Sequence, residues 1–468
     1  IPDIKGKKIC LLNKNSYEYA VNTFGIILAG GVLVLLNQHK SWDELSYELE
    51  LVEPAAILTD GDDYGTKEQL EAAYGSILRP MDGFRAYEPV AEMPRCIGHD
   101  DLMVLMFTSG TTGRAKAVPL TSINEVLSAH DVMIHFPMNY RDVTMNTTPW
   151  FHRGGLHCGG PCPTFYAGAT MVIMPKFDAD KTLQYVSRYK ISFVVGVPTV
   201  LESLADEQER QGYDLHTLRG IVTMGSPLER GACIRYQRVL TPNFFNGTAT
   251  TETLWNTFLR PFDLPDGAGT AGCAMVDDDV RVVRVYEDRH AEPDDLVATD
   301  SHEVGEVIIS SPAKSPYVYV NNPEETEKKY YKGFIYTNDL ATWNEKQFIT
   351  ICGRKDDMII SSGENIYPTE VEEVINQHPK VKDCIVTSTP DKIRGQKVTA
   401  YVVPADESLT PEELDQFCKD SPDIANFKRP RYYRFVSQIP FNATGKKLHY
   451  KIKNTALDDL KNGLLYEV

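Results

Sequence analysis

Residues Leu102 to Lys116 read LMVLMFTSGTTGRAK, an apolar run of strand character that stops abruptly in glycines, hydroxyls and two bases. Glycine permits positive φ and close backbone approach, hydroxyls and successive N–H groups can surround phosphate oxygens, and a lysine adds a point charge. Thr108, Ser109, Gly110, Thr111, Thr112, Gly113 and Lys116 therefore read as a polyphosphate cradle. A Walker loop is excluded, because that motif joins Gly directly to Lys and then Ser or Thr, whereas Arg114 and Ala115 intervene here. A flexible Gly/Thr linker is the rival reading; it fits less well because the segment continues a strand-like run instead of joining two domains.

Working outward, two more apolar runs end the same way: Ser192 to Val197 into Pro198-Thr199, and Gly220 to Met224 into Gly225-Ser226-Pro227. Such runs alternate with segments at helical spacing, which predicts an α/β chain. Ligands in open parallel sheets sit beyond the carboxyl ends of the strands, so these endings, Gly225 included, are candidate site positions. Ser122-x-x-Glu125, Thr199-x-x-Glu202, Thr369-x-x-Glu372 and Thr410-x-x-Glu413 have the capping-box pattern of helix starts. After about residue 355 the chain reads as helix, strand, strand, helix, with Val371, Val374 and Ile375 on one helix face and a stop before Pro379.

At 468 residues the chain is long enough for two or more domains, and its net charge of −17 argues against a coat for nucleic acid or anionic membrane. Any phosphate must meet a local positive patch. From Ile424 to Leu457 there are eight basic side chains (Lys428, Arg429, Arg431, Arg434, Lys446, Lys447, Lys451, Lys453) and no acid. The longest apolar run, Phe24 to Leu36, is 13 residues, short of the roughly 18 that suggest a membrane span, so a soluble chain is expected. Nine cysteines without C-x-x-C spacing point to a reduced, cytoplasmic setting. The first residue is Ile1 and no leader pattern is visible, which reads as a trimmed start.

The cradle resembles the phosphate loop T-S-G-T-T-G-x-P-K of the adenylate-forming superfamily, which includes acyl-CoA synthetases, with Ala115 in place of proline. Further segments follow in that family's order. Pro149-Trp150-Phe151-His152-x-x-Gly155 resembles P-x-F-H-x-x-G at the acyl pocket, and Asn246-Gly247-Thr248-Ala249-Thr250-Thr251-Glu252 resembles G-Y-G-x-T-E, with Thr248 where a tyrosine usually packs on adenine. Tyr336-Thr337-Asn338-Asp339 is similar to Y-x-T-G-D, and Gly353 to Glu372 is the longest close match. Pro440 to Lys446 resembles P-x-T-x-x-G-K.

The resemblance implies a large multi-sheet α/β N-terminal domain, residues 1–355, and a small mobile α+β C-terminal domain, residues 356–468, hinged at Asp356. It implies an ATP-dependent acid–thiol ligase using Mg²⁺ and coenzyme A. Lys446, His152, Lys116 and Glu252 are the implied catalytic residues, and Thr251 with Glu252 the implied metal position. Gly225, Asn246, Gly247, Thr248, Thr251, Asp339 and Arg354 would join the cradle around the nucleotide. Asp339 is suited to a ribose diol, since a carboxylate only accepts. Ser362 and Gly363 would line the thiol route. Trp150, Phe151, His152, Gly155 and Gly159 would form the acyl pocket.

From Pro149 to Met174 there is no Asp or Glu to pair with a substrate ammonium, which disfavours an α-amino acid. The glycines at 154, 155, 159 and 160 would leave room for a bulky acyl group beside Trp150, Phe151, Phe165 and Tyr166. A large hydrophobic acid is expected: fatty, aryl, or alicyclic including steroid and bile acids. Arg153 reads as solvent-facing, the sharper alternative being recognition of a second substrate anion. The partners are thus a small-molecule carboxylic acid, ATP and CoA, with no nucleic acid and no transmembrane segment; homo-oligomerisation is left open. An acyl-AMP ligase feeding a carrier protein is the alternative enzyme, and a nucleotide-binding regulator the non-enzymatic one. The spacing of His152, His157, Cys158 and Cys162 matches no common zinc pattern, which leaves His157 and both cysteines as packing residues.

Overall fold

The structure, a computed structural model, describes residues 4–88, 97–108, 114–226, 228–441 and 446–468. Packing divides the chain into two units, Ile1–Val280 with Ile308–Tyr336 and Arg281–Val307 with Thr337–Val468. The larger is α/β and the smaller is dominated by antiparallel strands flanked by helices, the two-part α/β architecture expected from the sequence. These packing boundaries differ from 355/356 because segments 281–307 and 337–355 group with the C-terminal chain.

In the first unit, a six-stranded sheet runs in the order Leu78–Pro80, Ala56–Thr59, Lys8–Leu12, Val32–Leu35, Leu102–Phe107, Ala117–Thr121. All neighbours are parallel except the last pair, in which Phe107 lies opposite Ala117. The run Phe24 to Leu36 is split by a turn at Gly30 between helix Tyr17–Leu28 and strand Val32–Leu35, all four of whose residues are buried. No helix among the described residues is long and apolar enough to cross a membrane. A second, seven-stranded sheet runs Cys273–Ala274, Leu254–Leu259, Phe244–Thr250, Gly220–Met224, Phe193–Gly196, Val143–Asn146, Thr170–Met171. The last five of these are mutually parallel. Chain order reverses between Val143–Asn146 and Phe193–Gly196, the switch point at which parallel sheets open a crevice.

One buried cation ties helix Ser122–His135 to this sheet. The ammonium of Lys314, 1% exposed, donates to Asp131 Oδ2 at 2.5 Å, Asp278 Oδ2 at 2.7 Å and the Trp255 carbonyl at 2.6 Å. Burial pushes the Asp278 carboxyl up to about 6 although Lys314 pulls the other way.

In the second unit, a sheet runs Glu364–Ile366, Ile359–Ser361, Gly395–Pro404, Tyr432–Phe435, Tyr466–Glu467, with Val381–Asp391 also paired on Gly395–Pro404. Helix Pro368–Asn376 buries Val371, Val374 and Ile375 as its periodicity predicts. Helix starts are also where expected, but the expected capping boxes are only partly realised. Thr410 accepts from the Glu413 amide as read, whereas the cap of helix Ser122–His135 is Thr121 with Asn124, and the cap of Pro368–Asn376 is Tyr367 with Glu370. Helix Pro198–Gln211 has no side-chain cap.

Lys314→Met should destabilise the protein by about 3–5 kcal/mol, since two carboxylates would be left buried without their cation. Urea unfolding measures this; a loss below about 1 kcal/mol would mean that the triad contributes little to stability.

Candidate functional site

The expected site segments of the first unit leave the carboxyl ends of neighbouring parallel strands. Thr147 to Arg153 follows Val143–Asn146, Val197 follows Phe193–Gly196, and Gly225 follows Gly220–Met224. Asn246, Gly247 and Thr248 lie within Phe244–Thr250, and Thr251 and Glu252 begin the turn after it. Gly225 has φ +91°, a turn that favours glycine. Gly247 is required by packing: a Cβ there would stand 2.8 Å from Trp255 Nε1.

The phosphate-loop candidate is the connection of a β-hairpin. Thr108 N donates to the Lys116 carbonyl at 2.9 Å and Lys116 N to Thr108 Oγ1 at 3.3 Å, so the loop's two ends are tied together. Ser109, Gly110, Thr111, Thr112 and Gly113 lie outside the described residues. The Lys116 ammonium sits 2.5 Å from Glu325 Oε2 and 5.6 Å from the centre of the Tyr319 ring. Tyr319 in turn donates its hydroxyl to Oε1 of Glu252, a buried carboxylate. The hydrogen bond from Lys116 holds the Glu325 carboxyl below its ordinary range. Glu325 and Tyr319 carry no motif that would have revealed them; the only local sequence signal is Asn322-Pro323, the cap and first residue of helix Pro323–Lys329.

Arg153 is neither solvent-facing nor turned toward a substrate. It is 4% exposed, and its guanidinium donates to the carbonyls of Thr251 at 2.7 Å and Lys314 at 2.9 Å and to Ser128 Oγ at 3.2 Å. It therefore fixes the backbone that presents Glu252. A second clamp, missed by sequence reading, is Asn15, which accepts from Trp150 N at 2.9 Å and donates to the Thr148 carbonyl at 2.9 Å.

Trp150 and Phe151 are buried, and His152 is half-buried with its ring centre 4.4 Å from that of Phe151. His152 Nε2 is a buried atom with no hydrogen-bond partner. Burial, and secondarily the charge of Lys40, pushes the imidazole down to about 4, so it is neutral at pH 7. The expectation that nearby glycines leave room for an acyl group is corrected. A Cβ on Gly155 would lie 1.9 Å from the Pro149 carbonyl oxygen, one on Gly160 1.9 Å from that of Gly155, and one on Gly159 2.8 Å from Val195. These glycines let backbones approach, and protein atoms fill the space they leave. Phe165 and Tyr166 are 42% and 50% exposed, against Phe24 and His130 respectively.

In the second unit, Asp339 and Arg354 face each other across paired strands, Arg354 Nη1 donating to Asp339 Oδ1 at 2.9 Å. Asn338 has φ +64°, and asparagine tolerates that conformation better than most side chains, which explains how it replaces glycine. Asp356 is exposed on the turn Lys355–Asp357. Ser362 and Gly363, at φ +55° and +85°, form the exposed two-residue turn between Ile359–Ser361 and Glu364–Ile366. The adjacent lysines 446 and 447 are held differently. Lys447 donates to Asp383 at 2.8 Å and the Cys384 carbonyl at 2.5 Å, with Glu372 at 3.4 Å and His449 bonded to that same Glu372 at 2.7 Å. Burial draws the Lys446 ammonium below its ordinary range, opposed by Asp339. Residues 442–445 lie outside the described residues.

The sequence matches the AMP-binding enzyme family over residues 4–316 and the C-terminal domain of AMP-binding enzymes over residues 370–446. The chain belongs to the AMP-binding enzyme family. A feruloyl-CoA synthase from Amycolatopsis sp is 30% identical, the alignment covering 96% of this chain and 88% of that protein. A 2-succinylbenzoate–CoA ligase from Bacillus licheniformis is 28% identical over 96% and 89% of the two chains. The solved structure of o-succinylbenzoate CoA synthetase from Bacillus subtilis with its acyl-adenylate intermediate superposes with a TM-score of 0.85 at 27% identity, covering 96% of this chain and 89% of that one.

The depressed His152 pKa has a definite sign in stability. The unfolded chain takes up this proton near pH 6.5 and the fold resists it down to about 4, so the stabilisation is complete above pH 6.5 and is lost as pH falls toward 4. His152→Gln should flatten that pH dependence by up to about 3 kcal/mol. Chemical denaturation at pH 7 and 4.5 checks it: the same drop in variant and parent would assign the loss to other groups.

Proposed function

We propose that this chain is an AMP-forming acid–CoA ligase for a bulky hydrophobic carboxylic acid, of fatty, aryl or alicyclic class, steroid and bile acids included. The observation that carries the reading is the Lys116–Tyr319–Glu252 constellation beside the hairpin loop, a cation and a hard-oxygen donor arranged for a polyphosphate. Relatives of similar length are named CoA ligases for feruloyl, succinylbenzoyl and long-chain fatty acyl groups, which supports the reaction class and leaves this chain's own acid to be chosen by experiment. Free thiols at Cys10, Cys158, Cys162, Cys233, Cys273, Cys352, Cys384 and Cys418 suit the cytoplasmic setting we infer.

A carboxylate is a poor electrophile. In the proposed first step one of its oxygens attacks the α-phosphorus of ATP, pyrophosphate leaves with the bond electrons, and a mixed anhydride with AMP forms. Two anions must meet, so Lys446 is assigned to the carboxylate and α-phosphate and Lys116 to the leaving phosphates. Thr251 and Glu252 are the proposed Mg²⁺ position; the ion would neutralise charge on the phosphates, and an oxygen-only donor set fits it. Asp339 is assigned to the ribose hydroxyls and Arg354 to their neighbourhood. In the second step the CoA thiol attacks the acyl carbon, AMP departs and the thiol proton goes to solvent. Asp356 is the proposed hinge, with Lys446 serving the first step and the Ser362-Gly363 turn the second.

CoA brings phosphates of its own, and we assign Arg431 of the second unit to them. Arg431 has Nε and Nη1 buried without a partner, and burial followed by the like charges of Arg429 and Arg394 pushes its pKa down to about 10. An anion would relieve both penalties.

Pyrophosphate release should require a carboxylic acid, and a screen over fatty, aromatic, alicyclic and steroid acids with and without CoA should yield an acyl-CoA of matching mass. Acyl-AMP accumulating irrespective of CoA would redirect the assignment to carrier-protein loading. Lys446→Ala should slow adenylation by about 10²–10³ and spare thioester formation from supplied acyl-AMP; equal loss in both half-reactions would refute its assignment. Arg431→Ala should raise the KM for CoA about tenfold and leave the KM for ATP unchanged, as expected for a lost charge-assisted contact.

A further inference from the structure

Sequence spacing grouped His152, His157, Cys158 and Cys162 and found no metal pattern. Folding regroups them. Cys158 is buried with its carbonyl bound to Asn146, and His152 stands apart, but His157 and Cys162 meet Glu125 from helix Ser122–His135. One ligand atom from each of Glu125, His157 and Cys162 lies within 4.8 Å of the others, the one group of this kind among the described residues.

The tautomer of His157 can be worked out from its neighbours. Nδ1 is 3.1 Å from the Arg153 carbonyl, which can only accept, so Nδ1 carries a hydrogen. In the neutral ring Nε2 is then a lone pair, and it points at Glu125 Oε2 from 2.5 Å. At that separation the two share a proton; a metal ion taking the proton's place would hold nitrogen and oxygen roughly 3.3 Å apart, so both side chains would move outward on binding. The other carboxylate oxygen, Oε1, is buried with no partner, and Glu125 and His157 are 7% and 1% exposed. Half-buried Cys162 places its sulfur within 4.8 Å of both residues' ligand atoms.

We propose that Glu125, His157 and Cys162 form a binding site for a zinc-class divalent cation. Thiolate, imidazole and carboxylate together suit Zn²⁺, whereas Mg²⁺ and Ca²⁺ prefer oxygen alone. The Nδ1–H to carbonyl bond is the support a metal-bound histidine ordinarily has, holding the ring so that Nε2 faces the ion. Binding releases the Cys162 thiol proton and any proton shared by Glu125 and His157 to solvent. One thiolate and one carboxylate then match the charge of the dication, with the Arg153 guanidinium left to its carbonyl and hydroxyl partners. Three protein ligands leave a fourth position for water. The ion would brace helices Ser122–His135, Arg153–His157 and Pro161–Tyr166 against one another. This site is separate from the Thr251–Glu252 position and independent of the proposed ligase reaction.

The test is a metal count on the full chain, equilibrated with Zn²⁺ and freed of unbound ion by gel filtration. About one zinc per chain is expected, falling below about 0.1 in Cys162→Ala and in Glu125→Gln. After chelation and cobalt reconstitution, the parent should show a thiolate-to-cobalt charge-transfer band that Cys162→Ala lacks. Thermal melts by circular dichroism confirm that each variant is folded, and half-buried Cys162 is the site where truncation disturbs packing least. Less than about 0.1 zinc in the parent, or an unchanged count and cobalt spectrum in folded Cys162→Ala, would overturn the proposal and leave a proton between His157 and Glu125.

Discussion

The guanidinium of Arg153 is the constraint on which the large unit's site depends. Removed from water, it depends on hydrogen bonds, and its two terminal nitrogens find two backbone carbonyls and a hydroxyl from three separate parts of the chain, while Nε is buried without a partner. Burial draws its pKa down while Glu125 and Glu252 hold it up, so the cation and the surrounding carboxylates are mutually dependent. Through the Lys314 carbonyl the clamp continues into the Lys314–Asp131–Asp278 triad, and through Thr251 it reaches the loop that presents Glu252. Catalytic side chains placed on loops need such a rigid frame beneath them.

Much of this was legible in the sequence because it depends on local rules. Strands Leu102–Phe107 and Gly220–Met224 begin and end where their apolar runs do, and Val371, Val374 and Ile375 face inward as their spacing requires. What failed to be legible is long-range. In the S/T-x-x-E pattern a glutamate is expected to turn back on its own helix, yet Glu125 binds His157, Glu202 binds Arg235 and the Tyr236 hydroxyl, and Glu372 binds His449. A tertiary hydrogen-bonding partner outweighs an exposed capping contact worth about 1 kcal/mol. Likewise, glycines at 155 and 160 look like space from the sequence, and only the fold shows which backbone occupies it.

Arg153 was misread for the same reason. An arginine beside a candidate catalytic histidine is ordinarily exposed, and nothing within its own helix says that carbonyls 98 and 161 residues away will converge on it. Asn338 shows the opposite case. It stands where the motif Y-x-T-G-D has glycine, and a φ of +64° that asparagine accepts makes it a conservative replacement.

The ion pair between Lys116 and Glu325 has a consequence for selectivity. A vacant anion pocket lined by a free ammonium would attract any passing anion, chloride and inorganic phosphate among them. Here the lysine already has a carboxylate at 2.5 Å, so an incoming group must outcompete an internal one. A weakly charged or singly coordinating anion gains little from that exchange, while a ligand that presents several anionic groups at once gains more. The built-in counter-ion thus acts as a threshold, setting a minimum multivalency for any anion that would displace it from Lys116.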